Sequence, residues 1–450
     1  MKAVWVAVAG LFIAGLIWIG GGPGFLVDDL YSANFARSWS WTEILFWKLG
    51  TYPSVPPYWK IAIWLSPEEP YRWVRVWIAC MHGLNGVFVF LLAKRMFDGS
   101  IALWLPILFV MHRPGSESVL WAAGSLEVQM TTLLLGSLLL WMNGISRGRL
   151  LWPAVGLAAM AMIFKISALL FPAVLATAAC ALARRTEWPR LGAWVAILAV
   201  VNAALLVVSV WRSDSLHAAS AMAEGVAGVS ALPVLAGSIL RLFLLVNPSG
   251  FPGPYPVLAL TLGVFTAAGW VIWRGSPAAR MGIVWVMALL SFPVIVRGIA
   301  QPRYEYAAAF GAILIVGALI EWVRERTPLA GKAVMAGVGL WLAVNAGLYV
   351  RDAATNQRCG LLNIEARNLL AASMEKIRDA GGLTVINRPP VVRHTDILEY
   401  DHRLPVAVRF EPHCPDEAQF PCLIYPRRVN VASECPSEAE FPFARWDLAH

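Results

Sequence analysis

Two adjacent acids stand near the start of the chain. Asp28 and Asp29 lie in the segment GFLVDDLYSANFARSW (24–39), directly after the first long apolar run. A carboxylate held close to a hydroxyl group can remove its proton and act as a general base. The ordinary alternative is a solvated loop start or a helix cap, where acids are also common. We interpret the pair as catalytic, and the sequence leaves open which acid is the base.

Other ionisable and aromatic residues gather at the ends of apolar segments. They are His112, Glu117, Glu127, Lys165, Arg241 and Arg303, with Tyr304 and Tyr306 beside the last. Charged groups at a membrane margin are costly and indicate function by default. Cations at this depth suit a lipid-linked phosphate, whose head group lies there, and they offset the charge that develops as it departs. We therefore expect a donor phosphate to be bound by Lys165, Arg303, Arg241 and His112. Contacts to the substrate are expected from Glu117, Glu127, Tyr304 and Tyr306.

Each of these residues also has an ordinary structural interpretation. Lys165 could extend its side chain to the surface, and Glu127 could be a buried acid bonded to neighbouring helices. His112 and Glu117 could pair across their turn. For His82 and Asn85, which share one helix face, we favour hydrogen bonds between helices over a role in a site.

The composition is that of a membrane protein. Hydrophobic residues make up 58% of the 450 residues and charged residues 14%, and the mean hydropathy is +0.63. Soluble domains contain about 25% charged residues. The net charge of +8 does not indicate nucleic-acid binding, because the basic residues lie in short loops between apolar runs. We expect no cofactor, and no His/Asp spacing supports a divalent metal site.

The apolar runs predict an all-α polytopic protein with about eleven transmembrane helices. We place the spans at about 3–20, 73–93, 99–112, 119–142, 149–163, 167–183, 190–211, 255–273, 281–298, 306–323 and 332–350. The first is interpreted as a retained helix because it has no convincing cleavage site. Basic clusters alternate along the chain, which predicts a cytoplasmic N-terminus and an extracytoplasmic C-terminus.

Three regions outside these spans have their own character. A first outer loop (21–72) is rich in Trp and is predicted to form helices along the membrane surface. A segment at about 232–254 is interpreted as re-entrant, since a further span would break the charge alternation. The membrane domain (1–350) is followed by a small mixed α/β outer domain (351–450), whose Cys359, Cys414, Cys422 and Cys435 indicate disulfides.

Several segments resemble one family in the same order. The segment MHRPGSESVLWAAGSLEVQ (111–129) resembles the HP.HTEAVAWI.GR.DLL region of GT-C-fold glycosyltransferases related to the transmembrane O-mannosyltransferases that carry tetratricopeptide repeats. His112, Glu117 and Glu127 fall on its marked positions. The first loop, with Asp28 and Asp29, is similar to the F.YDD…N loop of that family.

Further matches continue along the chain. The family's SKE.A...PL.L resembles FKISALLFPAVL (164–175), with Lys165, and its ERYLYLPSIG resembles PRYEYAAAFG (302–311), with Arg303. CMHGLNGVFVFLLAKRMF (80–97) and LRLFLLVNPSG (240–250) are similar to two other family segments. The resemblance implies an inverting glycosyltransferase that uses a first-loop acid as base and a polyprenyl-phosphate sugar as donor.

The chain also departs from the family pattern. Ser125 stands where the family has Arg, and Ile166 where it has Glu. No tetratricopeptide repeats follow the membrane domain. Protein O-mannosylation is therefore not inferred, and the acceptor could be a glycan, a lipid or a protein.

Two other functions remain open at this level. A flippase or transporter of lipid-linked sugars would place charges along a transmembrane path rather than at one face. A polymerase of lipid-linked saccharides would need the same phosphate site as a single-sugar transferase. The charged residues are predicted to lie at one face of the membrane, which favours the transferase. We expect the protein to lie in a bacterial inner membrane.

Overall fold

The computed structural model describes residues 15, 27–44, 57–67, 70–97, 99–147, 151–212, 231–244, 254–297, 302–372, 374–380, 382–386, 407–410 and 422–424. Within these ranges some side chains lie outside the described part. Those of Asp28, Asp29 and Glu117 are among them.

Helices form nearly all of the described chain. In chain order they are α1 (Val27–Ser38), α2 (Pro57–Leu65), α3 (Pro70–Met96), α4 (Ile101–Val110), α5 (Ser116–Leu120), α6 (Ser125–Arg147), α7 (Leu151–Phe164), α8 (Phe171–Leu182), α9 (Trp188–Arg212), α10 (Ala231–Leu244), α11 (Pro254–Arg274), α12 (Pro277–Arg297), α13 (Glu305–Arg326), α14 (Pro328–Ala372) and α15 (Met374–Ala380). Short 3₁₀ turns cover Arg113–Gly115, Ala122–Gly124, Ile166–Leu170, Arg185–Glu187 and Pro302–Tyr304.

Most predicted spans coincide with apolar helices. In the described part of the chain, six helices are long and apolar enough to cross a membrane: Pro70–Met96, Ser125–Ile145, Arg185–Val208, Pro256–Arg274, Glu305–Arg326 and Leu329–Thr355. The predicted spans at 99–112, 149–163, 167–183 and 281–298 fall on shorter apolar helices. The span at 3–20 lies outside the described residues, Gly15 apart, so the count of eleven stays a prediction. The chain is a helical integral membrane protein.

The C-terminal region contains a small parallel sheet. Its strands are β1 (Gly382–Ile386), β2 (Ala407–Phe410) and β3 (Cys422–Ile424), in the order β2-β1-β3. In the register, Gly382 is opposite Ala407 and Thr384 is opposite Cys422. The end of α14, helix α15 and these strands are the described parts of the region, and a separate mixed α/β domain stays a prediction. The side chains of the four predicted disulfide cysteines lie outside the described part, and the outer location stays a prediction.

One long helix connects the bundle to this sheet region. Helix α14 has 45 residues, which at 1.5 Å per residue is about 67 Å, roughly twice the thickness of a bilayer's hydrocarbon core. The boundary predicted at 350/351 falls inside it. A continuous helix thus leads from the last apolar segment into the polar region.

Helix α2 buries one face in the protein and exposes the other, and both faces are largely apolar. Tyr58, Trp59 and Ala62 are buried, whereas Trp64 and Leu65 are exposed. Such a helix suits a position along a membrane surface, with its exposed aromatic residue at the interface.

The centre of the bundle is formed by α6 and α13. Their apolar segments are mostly buried inside the protein, whereas those of α9, α11 and α14 are mostly exposed. The outer helices therefore present apolar faces suited to lipid. The turns that precede α6 and α13 are fixed to the most tightly packed part of the molecule. The turn before α13 carries Arg303 and Tyr304, and Glu127 lies at the start of α6.

Helices α12 and α13 cross at two glycines. A Cβ built on Gly282 would lie 2.6 Å from the carbonyl oxygen of Gly311 and 2.9 Å from Cγ1 of Ile315. Backbones approach this closely only where side chains are absent, as is common between transmembrane helices. The crossing fixes the position of α13.

We expect Gly282→Ala to lower the thermal unfolding midpoint of the protein in detergent. Overpacking of a close contact costs roughly 1–3 kcal/mol. The matched control is Gly263→Ala on α11, where a Cβ meets nothing within 4 Å. If both variants unfold at the wild-type temperature, the close crossing is wrong.

Candidate functional site

The predicted outer-face residues meet at one end of the bundle. We call this the outer end; it carries the Met111–Ser125 connection, Lys165, the C-terminus of α10 and the Pro302–Tyr304 turn. Two basic residues predicted to be cytoplasmic have partners elsewhere: Arg95 donates to Asn143, and Arg280 donates to the carbonyl of Trp273. None of these contacts involves a residue of the outer end, and the side of the membrane on which each set lies stays a prediction.

Lys165 and Glu127 form an ion pair at the outer end. Lys165 Nζ lies 3.1 Å from Oε1 of Glu127; the lysine side chain is 23% exposed and the glutamate side chain 1%. Lys165 follows the last residue of α7 in extended backbone and precedes the Ile166–Leu170 turn. The hairpin predicted around this lysine is thus present, with a buried carboxylate as its partner.

The position of Glu127 corrects one prediction. The sequence placed it about two turns into a span that began near residue 119, but α6 begins at Ser125. The preceding residues form α5 and the Ala122–Gly124 turn instead. Glu127 therefore lies in the first turn of α6, where the helix dipole favours an acid.

A second cation reaches the same region through aromatic rings. Arg303 Cζ lies 5.0 Å from the ring centroid of Trp121 and 5.9 Å from that of Tyr304. Lys165 Nζ lies 5.1 Å from the Tyr304 ring. Both distances to Tyr304 are within cation–π range. The hydroxyl of Ser118 donates to the carbonyl of Arg303 at 2.8 Å and fixes the turn.

Arg241 and Glu305 form a deeply buried ion pair. Their side chains are 6% and 2% exposed. Arg241 Nη2 also donates to the hydroxyl of Ser238 at 3.3 Å. The pair joins the predicted re-entrant helix α10 to the start of α13, so the predicted phosphate ligand Arg241 has a carboxylate partner within the protein.

His112 holds the C-terminus of α10. Its Nε2–H donates to the carbonyl of Leu242 at 2.9 Å, and Trp341 Nε1–H donates to the carbonyl of Phe243 at 3.0 Å. These carbonyls belong to the last turn of α10, where the helix itself supplies no N–H group to donate to them. His112 is buried, and its contact with a donor phosphate stays a prediction.

Tyr306 belongs to a buried hydrogen-bond network. His82 Nε2 faces the carbonyl of Val110 at 3.1 Å, so Nε2 carries the proton and Nδ1 accepts from the Tyr306 hydroxyl at 2.7 Å. Asn85 donates to the same hydroxyl at 2.9 Å and to the carbonyl of Val128 at 3.1 Å. The hydrogen-bonding role predicted for His82 and Asn85 is confirmed. Through this network Tyr306 joins α13 to α3.

One face of α14 also contacts the outer end and was not predicted from the sequence. The Nε of Arg113 donates to Asp352 at 2.9 Å, the hydroxyl of Ser116 donates to Asp352 at 3.1 Å, and the backbone N–H of Arg113 donates to Asn345 at 2.9 Å. Asn345 and Asp352 share a face with Trp341, because residues at these spacings stack along one side of a helix. The helical spacing of these three residues could have predicted this face. It was not recognised because the last span was predicted to end at residue 350, before Asp352.

The helix that carries the predicted base packs at the outer end. The backbone of Asp28 and Asp29 is in α1, which packs against α2 and the Ala122–Gly124 turn. Their side chains, and that of Glu117 in α5, lie outside the described part. Among the described residues, no group of three or more His, Cys, Asp or Glu is placed to hold a metal ion.

Comparisons with known proteins find similarity among solved structures. No protein-family model and no curated protein matches the sequence. The chain is similar to the oligosaccharyltransferase of Archaeoglobus fulgidus, solved with a tethered acceptor peptide that contains the NVT sequon. The identity is 14%, the TM-score is 0.49, and the match covers 90% of this chain and 63% of that one. The chain thus spans less than two thirds of that enzyme's length, and neither family nor activity follows from a similarity at this level.

We expect the Arg241–Glu305 pair to be structural. Glu305→Gln leaves a buried arginine without its carboxylate, which costs about 3–5 kcal/mol. The double variant Arg241→Met/Glu305→Leu should recover most of this loss in thermal unfolding. The control is Arg113→Met, which breaks the Arg113–Asp352 ion pair. The side chains of that pair are 14% and 23% exposed, so the pair contributes less to the free energy of unfolding. A double variant as unstable as the single one would contradict this role.

Proposed function

We propose that this protein is an inverting GT-C-type glycosyltransferase that moves a sugar from a polyprenyl-phosphate donor to an acceptor hydroxyl at the outer face of the membrane. The chief support is the convergence of Lys165 and Arg303 on Tyr304 at the outer end. Two cations at the depth of lipid head groups form a suitable site for a phosphate that remains attached to its lipid chain.

The phosphate site combines charge with limited access. Lys165 is partly exposed, so its ammonium can meet a ligand from the bilayer margin. Arg303 presents a guanidinium, which matches two phosphate oxygens at once. Tyr304, between them, is buried and holds both cations near one ring. We assign Lys165 and Arg303 to the donor phosphate and leave Arg241 and His112 as weaker candidates.

The base is an acid of α1. This helix packs against the Ala122–Gly124 turn, which directly follows Trp121, the residue beneath Arg303. The helix that carries the acid therefore contacts the same connection as the phosphate site, and we place its carboxylate beside that site as part of the proposal. Glu117 and Tyr306 are retained as candidate substrate contacts, although the hydroxyl of Tyr306 already has two partners within the protein.

The reaction is a single displacement at the anomeric carbon. The acceptor oxygen attacks from the face opposite the phosphate, and its proton passes to the carboxylate of Asp28 or Asp29. The bond between the anomeric carbon and the phosphate oxygen breaks, and its electron pair stays on polyprenyl phosphate. Lys165 and Arg303 stabilise that developing charge. One displacement inverts the configuration at the anomeric carbon.

The reaction defines the partners. They are the lipid bilayer, a polyprenyl-phosphate sugar and a glycan, lipid or protein acceptor. The topology that fits has a cytoplasmic N-terminus and an extracytoplasmic C-terminus in a bacterial inner membrane. Helix α14 would then extend outward from the bilayer and hold the sheet region on the acceptor side.

A transfer assay in nanodiscs tests this function. A panel of polyprenyl-phosphate sugars is supplied and release of polyprenyl phosphate is measured for wild type, Asp28→Asn and Asp29→Asn. We expect one variant to lose about 10²–10⁴-fold in kcat, the usual contribution of a general base. Gel filtration checks that each variant is folded.

Lys165→Gln should lower kcat/KM by about tenfold or more in the same assay, since it removes a charge-assisted contact to the phosphate. The matched control is Arg95→Gln, a cation at the opposite end of the bundle.

Normal turnover by both Asp variants would contradict the assignment of the base. Transport of the intact donor without release of polyprenyl phosphate would favour a flippase, and products of increasing chain length a polymerase.

A further inference from the structure

Glu127 is an acid buried where a phosphate is proposed to bind. Its side chain is 1% exposed, and Lys165 is its ion-pair partner among the described residues. Its second oxygen, Oε2, has no hydrogen-bond partner in the part of the chain that the structure describes. A buried carboxylate that lacks a partner for one oxygen costs stability. The position of Lys165 indicates that this acid can act on a phosphate bound to the lysine.

Lys165 stands between the carboxylate and the more exposed side of the site. Its Nζ is 3.1 Å from Glu127 Oε1, and 23% of the side chain is exposed. A phosphate oxygen bound to the same Nζ would be about 2.8 Å from it. The phosphate would then lie within about 6 Å of a buried negative charge, so Glu127 and the phosphate would share one cation.

The substrate and the product differ in charge at this point. A polyprenyl-phosphate sugar is a phosphodiester with a single negative charge. Once the sugar has left, polyprenyl phosphate is a monoester with a charge of about −1.5 to −2 at pH 7. A fixed carboxylate near the phosphate repels the product more strongly than the substrate.

We propose that Glu127 is a positioning residue that sets the balance between donor and product at the phosphate site. It holds the Lys165 ammonium in place, and its negative charge weakens binding of the monoester product relative to the diester donor. Polyprenyl phosphate is thereby released after transfer. This role rests on the proposed function and assigns to Glu127 a task other than the substrate contact expected from the sequence.

Equilibrium binding tests this proposal without knowledge of the sugar or the acceptor. The probes are undecaprenyl phosphate, a monoester, and its methyl ester, a diester of the same lipid. Each is titrated against the full chain in nanodiscs at pH 7.5, and the ratio of the two Kd values is compared between variants. A change in the position of Lys165 affects both probes, whereas the ratio reports the response to the additional charge.

We expect Glu127→Gln to shift this ratio about tenfold in favour of the monoester, a modest effect for charges about 6 Å apart at a partly exposed site. Glu127→Asp, which keeps the charge, should return the ratio close to wild type. Asp352→Asn is the matched control, because it removes an acid of the outer end that contacts Arg113 and Ser116 rather than Lys165. Its ratio should equal that of wild type.

The outcomes separate this proposal from the proposed function. If wild type binds both esters and Glu127→Gln leaves the ratio unchanged or lowers it, the discrimination by Glu127 is overturned while the phosphate site stands. An equal shift with Asp352→Asn would also overturn it, since the effect would then be general. If folded wild-type protein binds neither ester, the phosphate site fails and this role fails with it.

Discussion

The free-energy cost of placing charge at the margin of a bilayer governs the structure of the outer end. Three cations are each matched by a carboxylate: Lys165 by Glu127, Arg113 by Asp352 and Arg241 by Glu305. Arg303 lies over two aromatic rings. Each pair joins elements that are distant in sequence. Packing of these elements therefore brings each of the three cations to a carboxylate, and an unmatched buried charge would be far more costly.

The pairs differ in exposure, and this difference separates framework from site. The Arg241–Glu305 pair is buried, and together with His112 and Trp341 it fixes the end of α10. The Tyr306 network fixes the start of α13 in the same way. Lys165 is held by a buried acid but remains partly exposed. Fixed neighbours around partly exposed cations are the arrangement that a preorganised anion site requires.

The sequence predicted the location of the site better than the ion pairs within it. Alternating basic clusters and hydropathy placed Lys165 and Arg303 at one end of the bundle, because span length and loop charge are local properties. The partners Glu305 and Asp352 were not foreseen, since they depend on how α13 and α14 rotate against their neighbours. Glu127 was placed too deep because hydropathy does not distinguish α5 and its turn from a continuous span. Asp28, Asp29 and Glu117 stay predictions, as their side chains lie outside the described part.

The central claim is that a lipid phosphate binds between Lys165 and Arg303 at the outer end. The most direct test is a structure of the full chain in nanodiscs with bound undecaprenyl phosphate. It would be determined by electron cryomicroscopy, with an antibody fragment as a marker. We predict that the phosphate lies within hydrogen-bonding distance of Lys165 Nζ and the Arg303 guanidinium, with the lipid chain extending into the bilayer. A phosphate bound at the opposite end of the bundle, beside Lys94 and Arg95, would contradict the account.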